Sequence, residues 1–301
     1  MWNFSIERFL TSPNEASVSK QRVNRFECCL CRGDDIKPVC VKLGVHYVKC
    51  LQCGLVRQHP YPSTEEINKY YENYKSLKSS QSEYLSDNGQ CVFRRDKTLT
   101  FMDLGLPKDC FKDKRVLDVG CATGDFVEMI SGVGAKTVLG IDLSAECISE
   151  AQARGLPCQL ASYTDISEKF DVITMFHVIE HIIQPQDFIE HSFKLLSPGG
   201  MLLVETPVIG LISEAFGADW RYFMPTEHLN LFTADCLIRL CNLHGFSLTA
   251  QVRFGSGNDS EMISPPNKRA MDAIAKKCGF GDTLAIWLSK PGTGGESAFA
   301  K

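Results

Sequence analysis

The chain has 301 residues, of which 44% are hydrophobic and 23% charged, and its formal net charge is −4. This length suits about two domains, or one large domain with additions, and the composition is that of a globular protein with a sizeable core. The slightly acidic balance gives no indication of a nucleic-acid partner or an anionic membrane. Apolar runs stay well short of the roughly 20 residues of a membrane span, and the first residues lack the pattern of a secretory signal, so we expect a cytoplasmic protein.

Six of the fourteen cysteines lie within residues 28–53. Cys28 and Cys31 form one C-x-x-C pair, Cys50 and Cys53 form a second, and 18 residues separate the two pairs. Each C-x-x-C turn directs two thiolates at one ion, and two such turns complete a tetrahedral site of four sulfurs. The spacing therefore predicts a structural zinc ion bound by these four cysteines.

We place this zinc ribbon at residues 24–62, after an N-terminal arm, and expect metal to replace most of its core. Gly33 and Gly54 follow the two pairs at positions where a turn needs a positive φ. A redox C-x-x-C is the alternative interpretation, and His46 and His59 are alternative ligands with less suitable spacing.

Residues 63–110 are predicted to be a helical linker. Ser63 and Glu66 have the spacing of a capping box at a helix start. A polar stretch follows, and a second helix is predicted from about Gln90 to Leu104. The tyrosines of this linker favour simple packing, and a lid over a substrate is the alternative.

From residue 111 to 292, apolar strands alternate with amphipathic helices, as in "RVLDVG", "TVLGIDLS" and "MLLVETP". This alternation is typical of a mostly parallel, doubly wound sheet, in which ligands bind at the carboxyl ends of the strands. The last residues, 293–301, are predicted to be a disordered tail.

The loop after the first of these strands contains the residues expected of a nucleoside site. Gly120 and Gly124 allow close approach of a ligand, and Asp142, 22 residues past Gly120, can accept both hydroxyls of a ribose. The loop departs from G-x-G-x-x-G, because Ala122 replaces the middle glycine and the strand ends in an acid, Asp118. That carboxylate disfavours a pyrophosphate but not a cationic sulfonium with an ammonium group. An NAD(P)-dependent oxidoreductase remains the alternative.

The motifs "VLDVGCATGDF", "VLGIDLS", "FDVITMFHVIEHI" and "LLSPGGMLLVETP", in this order and spacing, resemble class I S-adenosylmethionine-dependent methyltransferases. The resemblance covers about residues 112–290. It implies a Rossmann-like α/β sheet of seven strands with the last strand antiparallel. The preceding ribbon is similar to that of a subset of the family that includes C-methyltransferases acting on nucleotide-linked sugars.

This resemblance implies S-adenosylmethionine as the cofactor, bound by residues at the strand ends. The residues that it assigns are Asp118 near the ammonium group, Gly120, Cys121 and Gly124 around the methionine portion, Asp142 at the ribose, Leu143 on the adenine, Ala161 and Ser162 at the adenine edge, and Phe176 and His177 at the end of the fourth strand.

Three of the seven histidines, His181, His191 and His228, directly follow a glutamate. His191 lies in the middle of an amphipathic helix, and we expect it to face solvent. His181 closes the loop after the fourth strand, and His228 lies in the long connection after the fifth. These two are predicted to converge on the methyl acceptor.

The same resemblance assigns catalytic roles to Tyr222, Glu227 and His228, together with His181. It implies a small-molecule acceptor, for which a nucleotide-linked sugar is one candidate. A catalytically inactive binding protein of the same fold is a further alternative, although the intact Asp118 and Asp142 disfavour it.

Overall fold

A computed structural model of the chain describes residues 26–72, 89–258 and 264–292. The predicted N-terminal arm, the polar stretch after the first linker helix and the predicted tail lie outside these residues. Among the helices of the described segments, none has both the length and the apolar composition that a membrane crossing requires.

The described residues contain eleven strands and eight α-helices. In chain order the strands are β1 (Ile36–Lys42), β2 (Val45–Cys50), β3 (Val56–Gln58), β4 (Arg115–Val119), β5 (Thr137–Asp142), β6 (Cys158–Leu160), β7 (Phe170–Phe176), β8 (Leu196–Pro207), β9 (Asn230–Leu231), β10 (Ser247–Phe254) and β11 (Thr283–Ser289). The helices are α1 (Thr64–Glu72), α2 (Gly89–Asp103), α3 (Asp125–Gly132), α4 (Ala145–Ala153), α5 (Pro185–Leu195), α6 (Leu211–Phe216), α7 (Ala234–Leu243) and α8 (Pro265–Cys278).

Seven strands of the described residues form the central sheet, in the order β6-β5-β4-β7-β8-β11-β10. β11 is antiparallel to both of its neighbours, and the pairs from β6 to β8 are parallel. The predicted fold class is therefore confirmed. The chain moves outward from β4 to β6 and then returns to the other side of β4 with β7. The loops after β4 and β7 thus border the crevice at which such sheets bind ligands.

The central strands are buried on both faces. Leu117 and Ile173 lie in the apolar core on one face, whereas their neighbours Val116 and Val172 lie in the core on the other. Because both faces are covered, these strands appear in the sequence as continuous apolar runs rather than as an alternating pattern.

A second sheet, in the order β1-β2-β3-β9, joins the ribbon to the α/β unit. β3 pairs antiparallel with β9, a two-residue strand in the long connection after β8. Cys28 and Leu55 of the ribbon pack in the same core as Phe232 and Leu237 of the α/β unit. The ribbon and the α/β unit consequently share one core.

The first linker helix begins at its predicted capping signal. The Ser63 backbone N–H donates to the Glu66 carboxylate at 2.7 Å, and the Glu66 N–H donates to the Ser63 hydroxyl at 3.2 Å. This is the predicted capping box at the start of α1. The second helix, α2, matches the predicted helix to within one residue at each end.

Candidate active site at the carboxyl edge of the sheet

The glycine loop connects β4 to α3 through left-handed backbone conformations. Gly120 has φ +71°, and a Cβ there would lie 2.6 Å from the Val178 side chain, so this position requires glycine. Gly124 has φ +84° and precedes the first residue of α3. Ala122 adopts φ +45°, which is uncommon for a residue with a side chain. The loop is therefore a strained turn at the positive end of a helix dipole.

The two acids predicted at this edge lie at the ends of adjacent strands. One oxygen of Asp142 accepts from the Ala122 N–H at 2.9 Å, and the other accepts from the Ser144 N–H at 2.8 Å. Asp118 is 2% exposed and accepts from the Thr174 hydroxyl at 2.6 Å. Burial raises the pKa of Asp118 to about 7. A cationic group bound nearby would favour its charged form.

The other residues assigned to the cofactor extend along the same edge. Leu143, directly after Asp142, is 55% exposed. The Ala161 N–H donates to the Asp142 carbonyl at 3.2 Å, which places the end of β6 beside the end of β5. Ser162 is partly exposed, and its hydroxyl lies 2.8 Å from that of Thr164.

Two further residues assigned to the cofactor lie deeper in the site. Cys121 is buried in the glycine loop. Phe176 packs edge-on against Phe126 with ring centroids 4.9 Å apart. The cofactor roles of all ten residues remain predictions.

Replacing Asp142 with alanine should weaken S-adenosylhomocysteine binding by about 1.5–3 kcal/mol, the scale of hydrogen bonds to a charged group. Isothermal calorimetry measures this loss directly. Asp171→Ala is the matched control. Asp171 lies at the start of β7, at the opposite edge of the sheet from Asp142, where it forms an ion pair with Arg115. Unchanged affinity in the Asp142 variant would show that the ribose is bound elsewhere.

The end of β7 carries an ion pair between a half-buried histidine and a buried glutamate. His177 has φ +54° and is followed by a single turn of 3-10 helix at Ile179–His181. The Nδ1 of His177 lies 3.2 Å from the Glu180 carboxylate, and the Thr206 hydroxyl donates to the other oxygen of Glu180 at 2.8 Å. The Nε2 of His181 is 3.9 Å from Glu180. Glu180 therefore pairs more closely with His177 than with the histidine beside it in the sequence.

Electrostatics keep this pair charged. Burial lowers the pKa of His177, but Glu180 and Glu205 outweigh burial and raise that pKa to about 9. Burial likewise raises the pKa of Glu180, but the hydrogen bond from His177 and the nearby histidines lower it to about 2. Both groups are thus ionised at neutral pH.

This raised pKa predicts a pH-dependent contribution to stability. Since the pKa of His177 lies above its ordinary value of 6.5, the ion pair contributes fully below about pH 6.5 and is lost as the pH rises through about 9. We expect the free energy of unfolding in urea to fall over this range, and to fall less in His177→Gln. The same pH slope in both proteins would contradict the pairing.

The connection after β8 brings His228 to the same edge. Its Nδ1 lies 2.8 Å from the Tyr222 carbonyl, so Nδ1 carries the proton and Nε2 carries the free lone pair. The rings of His181 and His228 meet edge to face with centroids 5.0 Å apart. Burial and His181 lower the pKa of His228 to about 4, which keeps its ring neutral at pH 7. The two histidines predicted to converge thus lie side by side, and their role towards the acceptor stays a prediction.

The remaining predicted residues of this loop surround His228. Tyr222 stacks against the His228 ring at 5.8 Å, and its hydroxyl lies 3.1 Å from that of Thr283. Burial raises the pKa of Tyr222, so the phenol remains protonated. Glu227 is buried at 7% exposure, and its charge favours the protonated form of His228.

His191 does not face solvent as we predicted. Its Nε2 lies 3.0 Å from the Ile166 carbonyl, and its ring packs edge-on against Tyr163 at 4.9 Å. The expectation was wrong because the segment after β6 covers this face of α5, which a helical periodicity alone does not show. His191 is nevertheless bonded within the scaffold, away from the two histidines at the sheet edge.

Sequence reasoning missed a second ion pair in the site. Lys97 of α2 pairs with Glu205 of β8, and both side chains are 2% exposed. The Lys97 ammonium also lies 4.5 Å above the ring of Phe176, and Glu205 is 3.6 Å from the Nε2 of His177. The acid near the end of "LLVETP" was a usable signal for Glu205, whereas nothing in the sequence of α2 distinguishes Lys97.

The four cysteines of the ribbon are arranged as a tetrahedral site requires. Their sulfurs all lie within 4.8 Å of one another, with Cys28 to Cys53 and Cys31 to Cys50 both at 3.5 Å. Zinc–sulfur bonds of about 2.3 Å in a tetrahedron separate the sulfurs by about 3.8 Å, so the residues fit this ion.

A glycine with positive φ was predicted after each C-x-x-C pair, and the structure has it after the second pair only. Gly54 has the expected positive φ of +82°. In the first turn, however, the left-handed residue is Arg32, at φ +62°, rather than Gly33.

The strand order, the glycine loop after β4 and the acid at the end of β5 together define the architecture of a class I methyltransferase. A methyltransferase domain family matches residues 88–251, which is more than half of the chain. The chain belongs to this family.

Curated relatives agree with this assignment. Ubiquinone biosynthesis O-methyltransferases of Nitrobacter winogradskyi and Parvibaculum lavamentivorans are 27% and 30% identical over 158 and 161 residues. The matches cover 48% and 46% of this chain, and 60% and 63% of those proteins. The chain thus spans less than two thirds of the length of either relative.

Solved structures share the fold. The magnesium protoporphyrin IX methyltransferase of Synechocystis superposes with a TM-score of 0.54 and 15% identity, covering 76% of this chain and all of that one. A SAM-dependent methyltransferase of Archaeoglobus fulgidus gives a TM-score of 0.52 at 17% identity, covering 72% and 99% of the two chains. At these identities the likeness concerns the fold alone.

Proposed function

We propose that the protein transfers a methyl group from S-adenosylmethionine to a small molecule that loses a proton during the reaction. The observation that carries this proposal is the meeting of His181 and His228, 5.0 Å apart, at the sheet edge that holds the glycine loop and Asp142. Membership of the methyltransferase family and the activity named for the curated relatives support it.

The residues of the chain divide into a cofactor side and an acceptor side. When bound, S-adenosylmethionine supplies a methyl group on a sulfonium, ready for in-line displacement. On the cofactor side, Asp142 holds the ribose and Asp118 the ammonium group. The residues on the acceptor side align the acceptor and remove its proton.

On the acceptor side, we assign the proton transfer to His228. Its Nε2 carries the lone pair, and the lowered pKa keeps the ring neutral at pH 7. The Nδ1–H that donates to the Tyr222 carbonyl fixes the ring and stabilises the imidazolium once Nε2 takes the proton. His181 and the Tyr222 ring form the walls that hold the acceptor near Nε2.

Two acceptor classes follow from the relatives and from the ribbon. The curated relatives are named as O-methyltransferases of ubiquinone biosynthesis, which favours an acidic hydroxyl. The ribbon and the Tyr222, Glu227 and His228 loop resemble enzymes that methylate a carbon of a nucleotide-linked sugar. Both acceptors must lose a proton, so His228 has the same role in either case.

Transfer of a radiolabelled methyl group tests the proposal. The full-length protein is incubated with labelled S-adenosylmethionine and, separately, with intermediates of ubiquinone biosynthesis and with nucleotide-sugars. Label in one pool identifies the acceptor class. Binding of S-adenosylhomocysteine with no transfer to either pool would favour the alternative of an inactive binding protein.

We also propose that the ribbon binds one structural zinc ion through Cys28, Cys31, Cys50 and Cys53. The sulfur separations support this proposal, because they are close to the separation of about 3.8 Å that four sulfurs around one zinc ion would have.

A further inference from the structure

Gln58, the last residue of β3, connects the ribbon to the loop that bears His228. Its side chain is 1% exposed. The Nε2 donates to the His228 carbonyl at 3.0 Å, and the Oε1 accepts from the Thr226 N–H at 3.3 Å. One amide thus satisfies a donor and an acceptor of the same loop, which a carboxylate or an apolar side chain cannot do.

The loop that Gln58 contacts is strained. Thr226 has φ +70°, which is a genuine outlier for a β-branched residue. Such a conformation persists only where the surroundings determine it. Besides the Gln58 side chain, the Gln58 backbone N–H donates to the Leu229 carbonyl at 3.0 Å, directly after His228. The backbone of His228 is therefore held on both sides by one residue of the ribbon.

A second buried amide extends the same connection to the other histidine. The Nδ2 of Asn230 donates to the Ile182 carbonyl at 2.6 Å, directly after His181. The Oδ1 of Asn230 accepts from the Tyr61 hydroxyl at 2.7 Å, near the end of the ribbon. Since β3 also pairs with β9 at Asn230, both histidine loops are positioned against the ribbon.

We propose that Gln58 is a positioning residue for His228, and that the ribbon thereby forms part of the acceptor side of the site. The inference rests on the proposed function in that His228 is the group being positioned. The Gln58 amide fixes the backbone at Thr226 and His228, and so directs the His228 ring, whose Nδ1–H reaches the Tyr222 carbonyl. Without the amide, the ring is free to lose this bond and its single tautomer.

The test uses histidine-ring NMR on the full-length protein, which requires no acceptor. Nitrogen-15 labelling of the seven histidines reports the tautomer of each ring, and a His228→Gln variant assigns the His228 signal. We expect wild-type His228 to be protonated at Nδ1. Gln58→Met keeps the volume but removes the hydrogen bonds to His228 and Thr226, together with two longer ones at 3.4 Å to the Tyr47 hydroxyl and the Met224 carbonyl. In this variant the His228 signal should shift towards mixed tautomers, while that of His244 stays unchanged.

Gln52→Met is the matched control, because Gln52 is an exposed amide of the same ribbon. It should leave every ring signal in place. Affinity for S-adenosylhomocysteine should be the same in wild type and both variants. Once an acceptor is known, Gln58→Met should lower kcat by about tenfold or more, the scale of a small misplacement in an active site, with the cofactor KM unchanged.

Gln58→Glu provides a second variant if Gln58→Met fails to fold. It keeps the oxygen that faces the Thr226 N–H but loses the donor to the His228 carbonyl, so the His228 signal should again shift. An unshifted His228 signal in a folded, zinc-containing Gln58 variant would overturn the proposal. A shifted signal together with a lack of methyl transfer would leave the positioning intact and overturn the proposed function instead.

Discussion

Replacing His228 with alanine should lower turnover by about 100-fold or more, the usual scale for loss of a general base. The affinity for S-adenosylhomocysteine should stay unchanged, because His228 belongs to the connection after β8 and not to the glycine loop. The physical reason is the Nε2 lone pair of His228, which the bond from its Nδ1–H to the Tyr222 carbonyl leaves unprotonated and ready to accept a proton. Steady-state methyl transfer and calorimetry measure the two quantities.

His191→Ala is the control for this experiment. His191 also follows a glutamate, but it bonds to the Ile166 carbonyl beneath α5. Its variant should lose some stability and keep the turnover of wild type. Turnover equal to wild type in both His181→Ala and His228→Ala would assign all three histidines to the scaffold.

Removing two ligands of the ribbon should have the second large effect. The purified protein should contain about one zinc per chain, and Cys50→Ser/Cys53→Ser should contain none. In isolated zinc fingers the metal supplies about 10–16 kcal/mol of apparent binding energy, which is folding energy. Because the ribbon shares its core with the α/β unit and β3 pairs with β9, we expect the double variant to lose turnover as well as stability.

Elemental analysis and thermal unfolding check this result. Cys40→Ser is the matched control, because Cys40 lies in β1 of the same ribbon but outside the set of four sulfurs. It should retain zinc. A wild-type chain without zinc, or full zinc occupancy in the double variant, would show that the four sulfurs do not form a metal site.

The parts of the fold that the sequence predicts are those with local signals. The apolar run around Leu117, the turn residues Gly120 and Gly124 and the acid Asp142 each have a physical requirement that acts within a few residues. The cysteine spacing is equally local, which is why the four candidate ligands were predicted together. The position of the left-handed residue in the first C-x-x-C turn was predicted one residue too late, at Gly33, whereas Arg32 has the positive φ.

The features that escaped prediction depend on contacts between distant parts of the chain. β9 has only two residues, and it exists because β3, more than 170 positions earlier, pairs with it. Gln58 is an ordinary amide until the fold places it beside Thr226. Lys97 is likewise an ordinary helix residue until it meets Glu205 in the core. The burial of such polar groups depends on tertiary contacts, so the hydrophobic periodicity of the sequence does not predict it.

Calorimetry of the wild-type chain with S-adenosylhomocysteine and with NAD tests most directly that this site serves a methyl donor. The arrangement of Asp118, Gly120 and Asp142 predicts one binding site for S-adenosylhomocysteine and no measurable heat with NAD. Binding of NAD in the absence of any binding of S-adenosylhomocysteine would contradict the methyltransferase assignment of the site.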